Sequence, residues 1–367
     1  MTRPPTDVEV FHAEGGRRSR TRKRWIPVVA VAAVLGLAAW PVLDHAGVFS
    51  DKGDPISFGQ DGKPGGSGTG KTSMPTGPEA KFTVAGTVPE DGSKIAVTEY
   101  IGKKSGFKGK VWVWVPPQYK DPKYAKSGFP VMIALPGGAG YPNNYWMGTD
   151  LKLEASISKW SQEGKSLPFI VVMPVLNPEN HDTDAKDPKA GQYWDGSDIP
   201  GQPKMGTWLT EDVPDLVKEN FRTIDSRDGW AFMGSSTGGF AGLKSVLQKP
   251  DKFKAVIASG PDIVPDSRLW AGHGKEKAAN NPKVLAPELI KAGQPDVYLG
   301  FQVGTKETSA MPPIEDFVKR YSKGPIHTKL SVIEGGSHNA KTYVPNMETG
   351  GLIQWISEHM QGPVPSS

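Results

Sequence analysis

The feature that most constrains this chain is a series of short apolar runs, each closed by glycine or proline. "VMIAL" stops at Pro136, Gly137 and Gly138, and "FIVVM" stops at Pro174. "WAFM" runs into Gly234, "AVIAS" into Gly260 and Pro261, "VYLGFQV" into Gly304, and "KLSVIE" into Gly335. Such runs are too short for buried helices, and they lack the alternation of a strand with one wet face. They suit strands buried on both faces, as in a parallel sheet. Helical patterns lie between them, at 151–162, 208–220, 239–247, 314–321 and 351–360. Upstream, "KFTVAG", "KIAVTEY" and "KGKVWVWVPP" alternate and are rich in β-branched and aromatic residues. The predicted fold is α/β: a mostly parallel, doubly wound sheet with helices on both faces, over residues 81–362. In such a sheet the chemistry gathers at the C-terminal ends of the strands.

One of those ends carries a motif. "WAFMGSSTGGFAGLKSVLQKP" reads as strand, turn and helix, and its turn contains Gly234-Ser235-Ser236-Thr237-Gly238, a G-x-S-x-G with Ser236 at the centre. Glycines flank the serine because a strand-to-helix turn this sharp leaves no room for neighbouring Cβ atoms. A serine hydroxyl is a weak nucleophile and needs a base. In the order expected after such an elbow, an acid comes next and then a histidine. Of the later histidines, His338 follows the strand pattern "TKLSVIE" in a glycine-loosened loop, at the C-terminal edge. His327 precedes that strand, His359 lies on the last helix and His273 in a polar loop. Glu307 follows "DVYLGFQVG" by three residues and could hold the His338 tautomer. Asp296 stands at the wrong end of that strand, and Glu315 and Asp316 start the next helix.

An oxyanion hole needs two N–H donors. Thr237, next after Ser236, supplies one. The other should come from the loop "PGGAG" after "VMIAL", with Gly138 the first choice and Gly137 the second. Aromatic residues near this edge (Tyr141, Tyr145, Trp146, Tyr193 and Trp194) are candidates for an apolar substrate site, or for the loops' own packing. No cofactor or metal is required. "NPENHDTDAKD" offers His181, Asp182, Asp184 and Asp187, but matches no calcium-ligand spacing and reads as a solvated acidic loop.

The N-terminal part has a different character. Arg17, Arg18, Arg20, Arg22, Lys23 and Arg24 precede "WIPVVAVAAVLGLAAWPVL", an uncharged stretch over 25–43. At about 1.5 Å per residue this spans a bilayer core. The positive-inside rule puts residues 1–24 in the cytoplasm and the rest outside, on a single-pass signal anchor. The alternative is a cleaved signal peptide, which exports the same domain. Without that basic cluster the chain is slightly acidic, so its net charge of +4 does not point to nucleic acid. There is no cysteine, which removes disulfides and thiol catalysis. Residues 44–80 hold nine Gly and four Pro and read as a disordered linker. Within it Gly65, Gly70, Lys71 and Thr72 match the Walker A pattern. No strand precedes the match, and Pro75 and Pro78 oppose the helix that should follow, so no nucleotide is expected there.

Together these landmarks resemble the esterase D-like family of α/β-hydrolases, which includes the antigen 85 mycolyltransferases. The resemblance covers about residues 80–362 and is carried by "VWVWVPPQY", "FPVMIALPGGAG", "LPFIVVMP", "GTWLTEDVPDLVKENF", "GSSTGGFAGLKSVLQKPDKFKAVIASGP" and "GGSHNAKTYVPNMETGGLIQWISEHM". It implies Ser236, Glu307 and His338 as the catalytic triad of a serine esterase acting on a small-molecule or lipid ester. Two departures stand out. Pro136 occupies the position where many of these esterases carry His, and "METGGLIQW" lacks the polar His-Ser/Asp-Trp motif of the mycolyltransferases. Ester hydrolysis is therefore expected before acyl transfer. The alternative from another class is a surface binding protein that kept the fold without catalysis.

Overall fold

The computed structural model describes residues 53–58, 72–179, 189 and 192–366. The basic tail, the apolar segment 25–43, most of the Walker-like match and the acidic loop at 181–187 lie outside the described residues. Among the described residues no helix is long and apolar enough to cross a membrane, and no cluster of His, Asp and Glu could hold a metal ion.

The strands are β1 (Pro55–Ile56), β2 (Thr72–Ser73), β3 (Phe82–Thr87), β4 (Lys94–Ile101), β5 (Lys108–Trp114), β6 (Val131–Leu135), β7 (Ile170–Pro174), β8 (Thr223–Ile224), β9 (Trp230–Ser235), β10 (Ala255–Ser259), β11 (Val297–Gly304) and β12 (Ile326–Ile333). Ten of them form one sheet in the order β1-β3-β4-β5-β7-β6-β9-β10-β11-β12. From β7 to β12 neighbouring strands are parallel, and the β1 to β5 side joins antiparallel. Every residue of β6, β7, β9 and β10 is buried, as the unbroken apolar runs predict.

The helices are α1 (Leu153–Gln162), α2 (Val213–Asn220), α3 (Thr237–Gln248), α4 (Gly274–Ala279), α5 (Pro282–Ala292), α6 (Met311–Tyr321), α7 (Ala340–Thr349) and α8 (Leu352–Glu358). Just before α2, Trp208–Asp212 forms a π-turn. Pro214 has no N–H and its ring crowds the preceding turn, which the wider π geometry accommodates.

The segment expected to be a disordered linker carries two docked pieces. β1 pairs antiparallel with β3, and the Phe58 ring packs on Phe82 and Phe221 at 5.6 and 4.9 Å between centroids. β2 pairs with β8, and the Thr72 hydroxyl accepts the Gly128 N–H at 2.7 Å. Mean composition hid these contacts. A few apolar residues such as Ile56 and Phe58, each ring pair contributing about 1 kcal/mol, suffice to hold a short strand on an existing sheet edge.

One buried carboxyl opposes stability as the pH rises. Glu154, in the first turn of α1, is fully buried and neither carboxylate oxygen has a partner. Burial raises its pKa from 4.5 to about 8, helped by the negative charges of Asp150, Asp91 and Glu90. The folded state therefore holds a proton that the unfolded chain releases, and stability falls as pH rises from 4.5 to about 8. Glu154→Gln is expected to raise Tm at pH 8 by about 5 °C, with the gain shrinking towards pH 4.5. Differential scanning calorimetry across that range checks it; a gain independent of pH contradicts it.

Candidate active site

Ser236 sits between the end of β9 and the start of α3 with φ 52° and ψ −125°. A non-glycine residue there stores roughly 1–3 kcal/mol of strain. Its neighbours explain how the turn closes. A Cβ on Gly234 would lie 2.6 Å from the Gly238 carbonyl, and one on Gly238 would lie 2.3 Å from the Leu135 oxygen. Both glycines are thus demanded by backbone-to-backbone contact. The Ser236 N–H donates to the Ser259 carbonyl at 2.9 Å, tying the elbow to the end of β10.

Glu307 and His338 come together as the sequence predicts. His338 Nδ1 is 2.6 Å from Glu307 Oε2. The other carboxylate oxygen accepts the Gly304 N–H at 2.6 Å. The two loops that carry them are zipped together: Thr305 N–H donates to Ile333 O, Lys306 N–H to Gly336 O, and Gly335 N–H to Thr305 Oγ1. The glycines permit this, since a Cβ on Gly304 would meet the Gly336 carbonyl at 2.3 Å. Burial pushes the Glu307 carboxyl up, but the bonds from His338, Gly304 and Tyr343 outweigh it and hold its pKa below the ordinary 4.5. It is therefore a carboxylate at neutral pH, as an orienting acid must be.

Tyr343 escaped the sequence reading. It is buried, and its hydroxyl donates to Glu307 Oε2 at 2.7 Å while lying 3.0 Å from His338 Nδ1. Burial and the Glu307 charge raise its pKa, so it stays a donor. A Tyr five residues after the histidine reads as helix core, and only the turn into α7 brings it back to the acid. Asp262, in the loop after β10, is also near: burial and Asp266 raise its pKa while His338 lowers it. Between elbow and acid–base pair runs the Ser259–Gly260 backbone, where a Cβ on Gly260 would meet Tyr343 Oη, Glu307 Oε2 and His338 Nδ1 within 2.8 Å. Among the described residues no hydrogen bond joins Ser236 Oγ to His338; such bonds often tighten only around substrate.

The loop after β6 lies on the elbow, since a Cβ on Gly137 would be 3.1 Å from Ser236 Cβ. It is fastened at three points. Gly137 N–H donates to the Tyr145 hydroxyl at 2.7 Å, Asn177 donates to the Ala139 carbonyl, and Leu176 N–H donates to Gly140 O at 3.0 Å. Gly138 has φ 65°, and a Cβ there would meet nothing within 4 Å. Thr237 is the first residue of α3, where N–H groups lack helical partners.

The aromatic candidates separate. Tyr141 is exposed at 39%. Trp146 is wholly buried and its indole N–H donates to Leu135 O; Trp194 is buried and bonded to Gln202 Oε1. Both are packed into the loops, Trp146 with its indole N–H on the end of β6 and Trp194 with its indole N–H on the Gln202 side chain, since a buried indole N–H finds a partner. Tyr145 is likewise committed, its hydroxyl shared by Gly137 and Ser235.

With the geometry in view, comparison with known proteins is direct. The Esterase family ("Putative esterase") matches residues 104–347. The Corynebacterium glutamicum protein "Uncharacterized protein Cgl0967/cg1104" is 22% identical over 272 residues, 69% of this chain. That alignment spans 58% of the curated relative's own length. Among solved structures, a ferulic acid esterase superposes with a TM-score of 0.56 at 16% identity, covering 73% of this chain and 99% of that one. An S-formylglutathione hydrolase from Agrobacterium tumefaciens gives 0.55 at 21%, covering 74% and 96%. Mycobacterium tuberculosis MPT51 (FbpC1), of the antigen 85 group, gives 0.50 at 15%, covering 72% and 99%. At these identities the likeness is one of fold, an α/β-hydrolase-like sheet with its helices.

Proposed function

Because the chain belongs to the Esterase family, we propose that it is a serine carboxylic-ester hydrolase using Ser236, His338 and Glu307. The observation that carries this reading is the 2.6 Å bond between His338 and a buried carboxylate, set beside a serine at positive φ on a strand–helix turn. In the first step His338 Nε2 takes the Ser236 proton as Oγ attacks the ester carbonyl. Thr237 and Gly138 N–H groups hold the oxyanion, and Glu307 stabilises the imidazolium that forms. His338 then gives the proton to the leaving alcohol, leaving an acyl-Ser236. Water, activated by the same imidazole, completes hydrolysis. An alcohol in its place gives acyl transfer.

The substrate is a small-molecule or lipid ester. The apolar segment 25–43 behind a basic cluster supports a membrane anchor, cytoplasmic at its N-terminus, with the esterase domain outside the cell. Protease treatment of intact cells is expected to release the domain if this topology holds, and to leave it untouched if it does not.

The central test is a fluorophosphonate probe on the purified protein, with labelling lost in Ser236→Ala. A panel of p-nitrophenyl esters of rising acyl length, methyl ferulate and S-formylglutathione, run with and without added alcohols, then assigns the acyl group and acceptor. No labelling together with no turnover of any of these would sink the hydrolase reading in favour of a binding protein.

A further inference from the structure

The loop that should supply an oxyanion donor has two adjacent glycine N–H groups, and the structure treats them differently. Gly137 N–H already has an acceptor, the Tyr145 hydroxyl at 2.7 Å. The same hydroxyl is bonded to Ser235 Oγ, the residue before the nucleophile. A phenol has one hydrogen and can accept as well as donate. With the Gly137 N–H pointing at its oxygen, the Tyr145 hydrogen is free to go to Ser235. One phenol oxygen thus links the oxyanion loop to the elbow that carries Ser236.

Tyr145 can serve this way because its own base is fixed. Asn144 donates to Ala134 O and Pro174 O, each at 2.8 Å, and so spans the ends of β6 and β7. Asn144 also accepts Trp146 N–H at 3.0 Å, and the Trp146 indole donates to Leu135 O at 2.8 Å. The turn holding Tyr145 is therefore bolted to the two strands beside the loop it braces. Burial raises the Tyr145 pKa and its two bonds lower it less, so the hydroxyl keeps its proton.

Resting on the serine-esterase reading above, we infer that Tyr145 is a positioning residue: by engaging Gly137 N–H and Ser235 it sets the spacing between oxyanion loop and nucleophile, and leaves Gly138 N–H as the loop's donor to the substrate oxygen. The role fits a chain in which Pro136 stands at the head of this loop and has no side-chain donor or acceptor with which to hold it. Tyr145 touches no reacting atom and acts through the loop.

Tyr145→Phe keeps the ring and removes the oxygen. A freed Gly137 N–H and a loosened loop should weaken transition-state contacts and leave substrate binding little changed. The expected result is a fall in kcat of about 30-fold with KM within about twofold, less than the loss from removing an oxyanion donor outright. The fluorophosphonate labelling rate should fall in step, because that reaction also builds charge on the oxygen in the hole. The pH midpoints of kcat should stay put, since His338 and Glu307 are untouched; a shift in them would mean general damage to the site and would overturn the inference. So would an unchanged kcat in an active wild-type background. A wild type that neither labels nor turns over esters overturns the esterase reading itself. Should the variant fail to fold, amide exchange on the wild type decides: Gly137 N–H is expected to be protected at least about 100-fold more than Gly138, and equal exchange contradicts the assignment.

Discussion

Ser236→Ala is expected to lower kcat/KM for an ester substrate by about 10^5-fold, leaving only what binding and the oxyanion donors provide. The neighbouring serine makes this a sharp test. Ser235 is buried at 4% exposure and bonded to Tyr145, whereas Ser236 occupies the strained turn itself. Ser235→Ala should therefore cost only about three- to tenfold, through the brace and not the nucleophile. Steady-state kinetics on both variants, normalised to folded protein, separate the two roles. Comparable losses would mean that the elbow has been assigned to the wrong hydroxyl.

The second large effect belongs to Glu307. Glu307→Gln leaves the shape intact but removes the charge that holds the His338 Nδ1–H, and a loss of about 10^3- to 10^4-fold in kcat is expected. Tyr343→Phe acts on the same carboxylate. Its hydroxyl donates to Glu307 Oε2 at 2.7 Å and so shares the negative charge; removing it leaves the carboxylate more basic and one bond poorer. A loss of about three- to tenfold in kcat is expected, far short of that from Glu307→Gln, and equal losses in the two variants would contradict the network. Stability follows a related sign. Because the Glu307 pKa is lowered in the fold, its contribution is whole above the ordinary 4.5 and is lost as pH falls through the native value.

What the sequence made legible was set by local rules. The buried strands announced themselves by unbroken apolar runs. The elbow did so by a steric demand that only glycines meet, and the Glu307–His338 contact by the distance of each residue past a strand end. Elements that break a local rule were harder to read. α5 contains Pro287 and α7 contains Pro345, residues that argue against a helix interior. In α5 the carbonyl that loses its partner, Lys283 O, accepts the Tyr321 hydroxyl at 3.4 Å, a contact supplied by a residue far along the chain. Tertiary partners also decided the aromatic residues. Trp146 and Trp194 look alike to any reading of composition, and only the strand end beside one and Gln202 beside the other commit them to the interior. Tyr145 and Tyr343 carry no motif, since each acts through a hydroxyl whose partners lie on other segments.

The short strands β1 and β2 bear on how far the domain can travel. If the whole of 44–80 were slack, an anchored domain could range more than about 100 Å from a bilayer at roughly 3.5 Å per residue. Stitching at Pro55–Ile56 moves the point of attachment to the near end of that segment. On the proposed anchor, only about ten residues separate membrane and fold, a leash of at most roughly 40 Å. On that proposal the domain's reach is set by this leash, and esters within roughly 40 Å of the lipid surface come within it before those of the bulk fluid.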